Sequence, residues 1–166
     1  LTNILFDQIQ SCNKEFVNFI LSNYLEWLNS TNRPLFPNDI IKNCLSPKLE
    51  NNEKVCLLVI DCMRLDQFKS LMPLLDPYFE IDLRYSFSLL PSATQYSRNA
   101  IFCGMFPDEM VKNYPNQAND MKLEAHSLNQ YENLFLKDNL NRLGYKNKSI
   151  HYHKIWAVDE GKKFQN

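Results

Sequence analysis

The stretch VCLLVID at residues 55–61 carries most of the information about the fold. Its β-prone apolar residues follow one another without interruption, and Asp61 closes the run. A run of this length and composition is typical of a strand that is buried on both faces of a parallel sheet. Open α/β sheets bind their ligands beyond the carboxyl ends of such strands, so Asp61 stands where a functional residue is expected.

Two segments further along the chain also have the pattern of strands. Residues 79–87 alternate apolar with polar side chains, and residues 149–155 resume an extended alternation. Helices are predicted at residues 65–75, at residues 94–103 up to Gly104, from Pro107, and from the capping-box-like pair Asn129 and Glu132 to Leu143. Helices that alternate with strands predict an α/β layer fold.

The chain begins with a purely helical pattern. Apolar residues recur at steps of three and four through residues 3–28, which predicts an amphipathic helix with one broad apolar face. A short helix is expected over residues 38–45, and the polar residues 46–54, which show no periodicity, are interpreted as a linker. We therefore predict a helical segment at residues 1–53 and the N-terminal portion of an α/β domain at residues 54–166.

The composition is that of an ordinary folded protein. The 166 residues are 45% hydrophobic and 22% charged, with a formal net charge of −1. This balance gives no argument for binding nucleic acid or an acidic membrane, because both partners attract an excess of cations. No signal peptide or membrane-spanning run is present, and Leu1 in place of Met suggests a piece of a longer protein. A cytoplasmic protein without membrane insertion is expected.

The cysteines give no sign of a disulfide framework or a zinc ribbon. They are odd in number, widely spaced and without a CxxC pair: Cys12, Cys44, Cys56, Cys62 and Cys103. We interpret them as buried free thiols in a reducing compartment.

Asp61 opens a charged cluster, Asp-Cys-Met-Arg-Leu-Asp, at residues 61–66. A carboxylate at the end of a buried strand needs a metal ion, a cation or hydrogen-bond donors, since an unpaired buried charge is costly. Position alone leaves Asp61 as either a metal ligand or the cap of the next helix. Arg64 either neutralises a carboxylate or holds an anion. The pattern assigns no role to Asp66.

A second cluster, LPSATQYSRN at residues 90–99, surrounds the start of a predicted helix. The hydroxyl of Thr94 would lie beside free backbone N–H groups and the positive end of the helix dipole, which stabilise an alkoxide and bind phosphate. A metal ion held by Asp61 would activate this hydroxyl as a nucleophile. Arg98 lies one turn further along and would reach an anion at the helix start. The alternative is that Thr94 only caps the helix.

These residues resemble a known family. From Lys54 to about Tyr152 the chain is similar to the start of the PglZ domain, a branch of the alkaline phosphatase superfamily. The resemblance rests on Asp-x-x-Arg-x-Asp at residues 61–66 and on Pro-x-x-Thr-x-x-x-Arg-x-Ala-x-Phe-x-Gly-x-x-Pro at residues 91–107. The layout is also similar to Bacteroidetes response regulators linked to type IX secretion, in which a receiver domain and a helical bundle precede a PglZ domain.

The resemblance implies a fold and an active site. The fold would be the N-terminal part of an alkaline-phosphatase-like mixed sheet with flanking helices. Asp61 corresponds to the first metal ligand of the superfamily, and Thr94 to its nucleophile, which in phosphodiesterase members also contacts a zinc ion. Arg98 completes the catalytic set. Two zinc ions would serve phosphoryl transfer, but the remaining Asp and His ligands belong to a downstream half that these residues lack, so little catalysis is expected of the 166 residues alone.

The implied partners follow from the same resemblance. The substrate would be a phosphodiester, such as a nucleotide or oligonucleotide, and a sensor kinase would act through a receiver domain. A different reading is a catalytically degenerate interaction module that forms a homodimer through the helix at residues 3–28. A nucleotide-binding α/β domain ranks below both, because no glycine-rich phosphate loop occurs.

The three histidines complete the set of candidate ligands. His151 and His153 alternate on a predicted strand and are the only local residues that would supply imidazole ligands, but a solvated strand edge is the preferred interpretation. His126 lies in a polar stretch and is expected to be exposed.

Overall fold

The chain consists of two compact units in a computed structural model that describes residues 2–122, 129–155 and 160. One unit is Leu1–Leu35 and the other is Phe36–Asn166. The predicted boundary between residues 53 and 54 stays a prediction. His126 lies outside the described residues.

The first unit is built on one long helix, α1 (Thr2–Asn29). This confirms the helix predicted from the apolar spacing of residues 3–28. Its aromatic residues contact one another along the helix, since the rings of Phe16 and Phe19 lie 6.4 Å apart and those of Phe19 and Trp27 lie 5.5 Å apart. Many of its large apolar side chains are exposed: Ile4, Leu5, Phe6, Ile9, Phe16, Val17, Phe19, Leu21 and Leu25.

The second unit is an assembly of short helices. A 3₁₀ turn (Pro37–Asp39) and a π-helical turn (Ile41–Leu45) precede the α-helices. These are α2 (Ser46–Glu50), α3 (Leu65–Leu75), α4 (Thr94–Cys103), α5 (Pro107–Asn113), α6 (Pro115–Lys122) and α7 (Glu132–Arg142). The sequence predicted α3, α4, α5 and α7. It missed α6, and it assigned α2 to a linker because Pro47 and the polar residues around it resemble loop composition.

The core lies where α4 packs against α7, with α5 and α6 beside them. It contains Ile41, Phe102, Cys103, Met110, Tyr114, Phe135, Leu136 and Leu140. Burial raises the pKa of the Cys103 thiol to about 11. All the cysteines are free, as expected, but only Cys103 is buried. The helix pair α4 and α7 therefore forms the centre of the core.

Side chains of α7 hold the end of α4. Gly104 ends α4 with a positive φ of 64°, and a Cβ at this position would come within 2.6 Å of the Asn139 amide. The Asn139 amide donates to the Phe102 carbonyl at 3.2 Å, and the Arg142 guanidinium donates to the Cys103 carbonyl. Gly104 is therefore required both for its backbone conformation and for this close approach.

The predicted α/β fold is wrong. The part of the chain that the structure describes is helical and contains no strand and no sheet. The stretches at residues 55–60, 79–87 and 149–155 have the residue pattern of strands, but among the described residues no ladder of backbone hydrogen bonds pairs them with a neighbouring strand. The Phe79 N–H instead donates back to the Leu75 carbonyl of α3 at 3.0 Å. A strand exists only where a neighbour satisfies its N–H and C=O groups, so β-propensity and alternation alone produced the wrong prediction here.

Among the described helices, none combines the length and the apolar character that a membrane span requires.

Candidate functional site

Asp61 follows a segment that packs on one side only. Leu57 and Val59 are half-buried against the core, whereas Leu58 and Ile60 are exposed, so the run is not buried on both faces as predicted. The Asp61 carboxylate accepts a hydrogen bond from the backbone N–H of Cys62 at 2.9 Å, and Cys62 adopts a positive φ of 59°. This sharp turn leaves Asp61 about 40% exposed, at the rim of an open depression of about 520 Å³.

Thr94 is the first residue of α4 but does not cap it. The N-cap is Ala93, and no side chain bonds to the free N–H groups there. The carbonyl of Ala93 accepts from the N–H groups of Tyr96 and Ser97 at 3.1 and 3.2 Å. Within the described residues, no acceptor bonds to the N–H groups of Thr94 and Gln95. The half-buried Thr94 hydroxyl therefore lies at a helix start that no side chain caps, and the capping alternative does not describe it.

Arg98 connects two segments that are far apart in the sequence. Its Nη1 lies 3.3 Å from Asp61 Oδ2, and its Nη2 donates to Glu132 Oε2 at 2.8 Å and also lies 2.7 Å from Oε1. The Arg98 side chain is only 18% exposed, and its buried Nε has no hydrogen-bond partner among the described residues. Arg98 thus brings Asp61 to the helix that carries Thr94.

Glu132 is the buried centre of this charged cluster. Its side chain is 0% exposed, and three side chains converge on Oε2. Arg98 donates as described, the hydroxyl of Tyr152 donates at 2.6 Å, and Lys154 Nζ lies at 3.5 Å. Burial, together with the hydrogen bond to Glu132, raises the pKa of Tyr152 well above its usual value. Tyr152 therefore stays protonated and remains a donor.

Arg64 and Asp66 form a separate pair. Arg64 Nε and Nη2 donate to the two carboxylate oxygens of Asp66 at 2.9 and 2.8 Å. Of the two predicted roles for Arg64, the structure shows neutralisation of a carboxylate. This hydrogen bonding lowers the pKa of Asp66 and raises that of Arg64.

The histidines at residues 151 and 153 do not enter the cluster. Alternation places both of them on the exposed side of their segment, and the His151 imidazole lies 3.1 Å from the Ser149 hydroxyl. The half-buried side is formed by Ile150, Tyr152 and Lys154. The segment therefore contributes a phenol and an ammonium group to the site instead of imidazoles.

The described residues bring together no group of three or more His, Cys, Asp or Glu side chains that would hold a metal ion. The predicted metal ligands are the carboxylate of Asp61 and the hydroxyl of Thr94. Zinc in proteins takes about four ligands, of which at least three come from the protein in catalytic sites. These two oxygen donors therefore do not fit a zinc ion by themselves.

The sequence pattern does not predict the roles of Glu132, Tyr152 and Lys154. Asn129 and Glu132 have the spacing of a capping box, but the N-cap of α7 is Tyr131 and the Glu132 carboxylate bonds to Arg98. A signal was present. Glu132 precedes Phe135 and Leu136 by three and four residues, so it lies on the apolar face of its helix, where a carboxylate needs partners.

The family comparison agrees with the motifs in the sequence. Residues 40–163 match the family model described as the BREX system PglZ alkaline phosphatase-like domain. No protein with a curated description matches the chain. The family match includes Asp61, Thr94, Arg98 and Glu132.

Proposed function

Because the chain belongs to the PglZ alkaline phosphatase-like family, we propose that it carries part of the active site of a phosphodiesterase or phosphatase. In this proposal Thr94 is the nucleophile, Arg98 binds the phosphoryl group, and Asp61 is a metal ligand. The substrate is a phosphodiester, such as a nucleotide or an oligonucleotide.

The observation that carries the proposal is the position of Thr94. Its hydroxyl is not used as a helix cap, and it stands beside backbone N–H groups that have no acceptor among the described residues. These groups and the helix dipole favour the negative charge of a phosphoryl group. Arg98 is four residues further on, so the two side chains share one face of α4.

The chemistry follows from this arrangement. The oxygen of Thr94 attacks phosphorus and forms a new O–P bond while the bond to the ester oxygen breaks. The hydroxyl proton passes to solvent, and the departing alcohol takes up a proton from solvent. Water then cleaves the phosphothreonine, which regenerates Thr94 and releases phosphate or a monoester. The N–H groups and Arg98 stabilise the charge on the non-bridging oxygens.

The metal requirement goes beyond the described residues. Members of the superfamily that the chain resembles use two zinc ions, and Asp61 is the carboxylate that corresponds to a ligand. Since Asp61 and Thr94 do not complete a zinc site, the proposal requires additional ligands from residues outside the described part of the chain.

The test measures the natural protein that carries this sequence. Its zinc content and its hydrolysis of a chromogenic phosphodiester are compared with those of the variants Thr94→Ala, Asp61→Ala and Ser92→Ala. The expected result is loss of hydrolysis by a factor of about 10³ or more in Thr94→Ala, loss of zinc in Asp61→Ala, and no change in the matched control Ser92→Ala. Unchanged turnover in Thr94→Ala would refute the assignment of the nucleophile.

A second candidate function is favoured by α1. A catalytically degenerate PglZ domain would act as a homodimeric interaction module, since the exposed apolar side chains of α1 offer a surface to a second copy. Sedimentation of the chain with and without Leu21→Glu and Leu25→Glu tests this. A dimer that these substitutions dissociate, in a protein without hydrolytic activity, supports the degenerate module.

The cellular setting is the last part of the proposal. The order of a helical segment followed by a PglZ domain resembles that of the response regulators named above. By this resemblance, the domain would be the output domain of a cytoplasmic two-component response regulator that a sensor kinase controls through a receiver domain. Phosphorylation of the natural protein with acetyl phosphate tests this role. The expected result is a change in hydrolysis or in oligomeric state, and no change in either property contradicts it.

A further inference from the structure

The contacts of Arg98 divide its guanidinium into a fixed side and an outward side. Nη2 is held by Glu132, which is completely buried, and Nε is buried as well. Nη1 reaches Asp61, whose side chain is about 40% exposed. The outward side is therefore the part of Arg98 that a ligand at the surface can reach.

Glu132 is arranged to fix that orientation. Arg98, Tyr152 and Lys154 all approach its Oε2, and the nearest of them, the Tyr152 hydroxyl, lies at 2.6 Å. The ring of Tyr152 is itself held against Phe102 of α4, with ring centroids 5.9 Å apart. A buried carboxylate with this number of donors has little freedom to move, and charge-assisted bonds of this kind define a single geometry.

The outward side of Arg98 is directed toward the start of α4. Side chains of a helix lean toward its N-terminus, so Arg98 extends over the turn that begins with Thr94. The contact with Asp61 at 3.3 Å shows that Nη1 donates to an anionic oxygen on this side. Because Nη1 carries two N–H groups, a phosphoryl oxygen beside Thr94 would accept from the second one.

We propose that Glu132 is a positioning residue that holds Arg98 in the orientation for binding a phosphoryl oxyanion at the start of α4. Tyr152 supports Glu132 in this role. The inference rests on the proposed function for the identity of the ligand, but the orientation of Arg98 can be measured without any ligand or activity.

The first experiment measures the mobility of the Arg98 side chain. Heteronuclear NOE values at the Arg98 Nε–H are compared in the unmodified chain and in Glu132→Gln, Tyr152→Phe and Leu140→Val. We expect a rigid guanidinium in the unmodified chain, a mobile one in Glu132→Gln and an intermediate one in Tyr152→Phe. Leu140→Val is the matched control, because it loosens the packing of α7 about two turns beyond Glu132 and removes no polar group.

Two results of this experiment would overturn the inference. One is a guanidinium in Glu132→Gln that is as rigid as in the unmodified chain. The other is a loss of rigidity in Leu140→Val equal to that in Glu132→Gln, which would mean that general packing holds Arg98. If Glu132→Gln does not fold, Tyr152→Phe decides the question by the same criterion.

The second experiment separates this inference from the proposed function. Inorganic phosphate is titrated into the same proteins and into Arg98→Lys, and the dissociation constant is read from the Thr94 and Gln95 amide signals. We expect about tenfold weaker binding in Glu132→Gln and in Arg98→Lys, and no change in Leu140→Val. If Arg98→Lys weakens binding but a folded Glu132→Gln does not, the positioning role fails while the oxyanion site stands. If phosphate does not bind to the unmodified chain, the oxyanion site fails, and the mobility of Arg98 still decides the positioning role.

Discussion

Arg64 and Arg98 each bind a carboxylate, and they do so in opposite surroundings. Arg64 and Asp66 form a bidentate pair at 2.9 and 2.8 Å, and their side chains are 69% and 68% exposed. Arg98 and Glu132 approach to 2.8 and 2.7 Å, but their side chains are only 18% and 0% exposed. The distances are nearly equal, so the difference between the pairs lies in the solvent around them.

The comparison shows what burial adds to an ion pair. An exposed pair between near neighbours in the sequence is screened by water and stabilises the fold little. The buried pair joins residues 34 positions apart and links two helices. Its charges have lost their hydration, so each of them depends on the other.

Removing Arg98 should have the largest effect. Arg98→Met is expected to lower the free energy of unfolding by about 3–5 kcal/mol, because it leaves the Glu132 charge buried with fewer partners. Urea denaturation followed by circular dichroism measures this loss. The matched control is Arg64→Met, for which no measurable change is expected. Equal effects of the two substitutions would contradict the comparison.

Alkaline pH should have the second-largest effect, because it lowers the free energy of unfolding through the half-buried Tyr152. Since the folded protein raises the pKa of Tyr152, the contribution of its hydroxyl is fully present below the usual pKa of tyrosine and is lost as the pH rises through the higher folded value. Tyr152→Phe should cost about 1–2 kcal/mol at neutral pH and should reduce the alkaline loss of stability. The loss that remains belongs to groups such as Cys103 and Tyr114, whose pKa values burial also raises. An unchanged pH profile in Tyr152→Phe argues against this role of the phenol.

Acid should have the smallest effect, and it acts on the exposed pair of Arg64 and Asp66. The pKa shift has the opposite sign here, because the pKa of Asp66 is lowered whereas that of Tyr152 is raised. The pKa of Asp66 is lowered, so its contribution is present above the usual carboxyl pKa and fades as the pH falls through the folded value. NMR titration of the Asp66 carboxyl should show a low midpoint that returns to the usual range in Arg64→Met. The unfolding free energy should not change measurably. A midpoint that is the same in both proteins would show that the pair does not persist in solution.

The sequence predicted the helices better than the rest of the fold. Apolar spacing located α1 and α3, and the left-handed Gly104 marked the end of α4, because these signals are local. The three strand-like segments failed for the opposite reason. Whether residues 55–60 pair with a neighbour depends on what lies beside them, which their own composition does not encode.

The candidate site was only partly predictable for a similar reason. Asp61, Thr94 and Arg98 stand in motifs that can be recognised one residue at a time, and the structure joins Asp61 to Arg98. The acceptor that holds Arg98 lies 34 residues further along in a different helix, and no motif connects the two. A glutamate on an apolar helix face indicated that a partner existed, but not which residue it was.

The attachment of α4 to α7 has a mechanical consequence. Near its start, α7 binds α4 through the ion pair of its Glu132 with Arg98. Near its end, α7 binds α4 again through the hydrogen bond from Asn139 to the Phe102 carbonyl. Two points of attachment fix the angle of rotation of α4 about its own axis. Because each residue of a helix turns by about 100°, a single residue inserted into α7 between Glu132 and Asn139 would rotate the two side chains apart, and they could no longer contact α4 at the same time. The direction in which Thr94 faces therefore depends on the spacing of the two α7 residues, Glu132 and Asn139, that fix the rotation of α4.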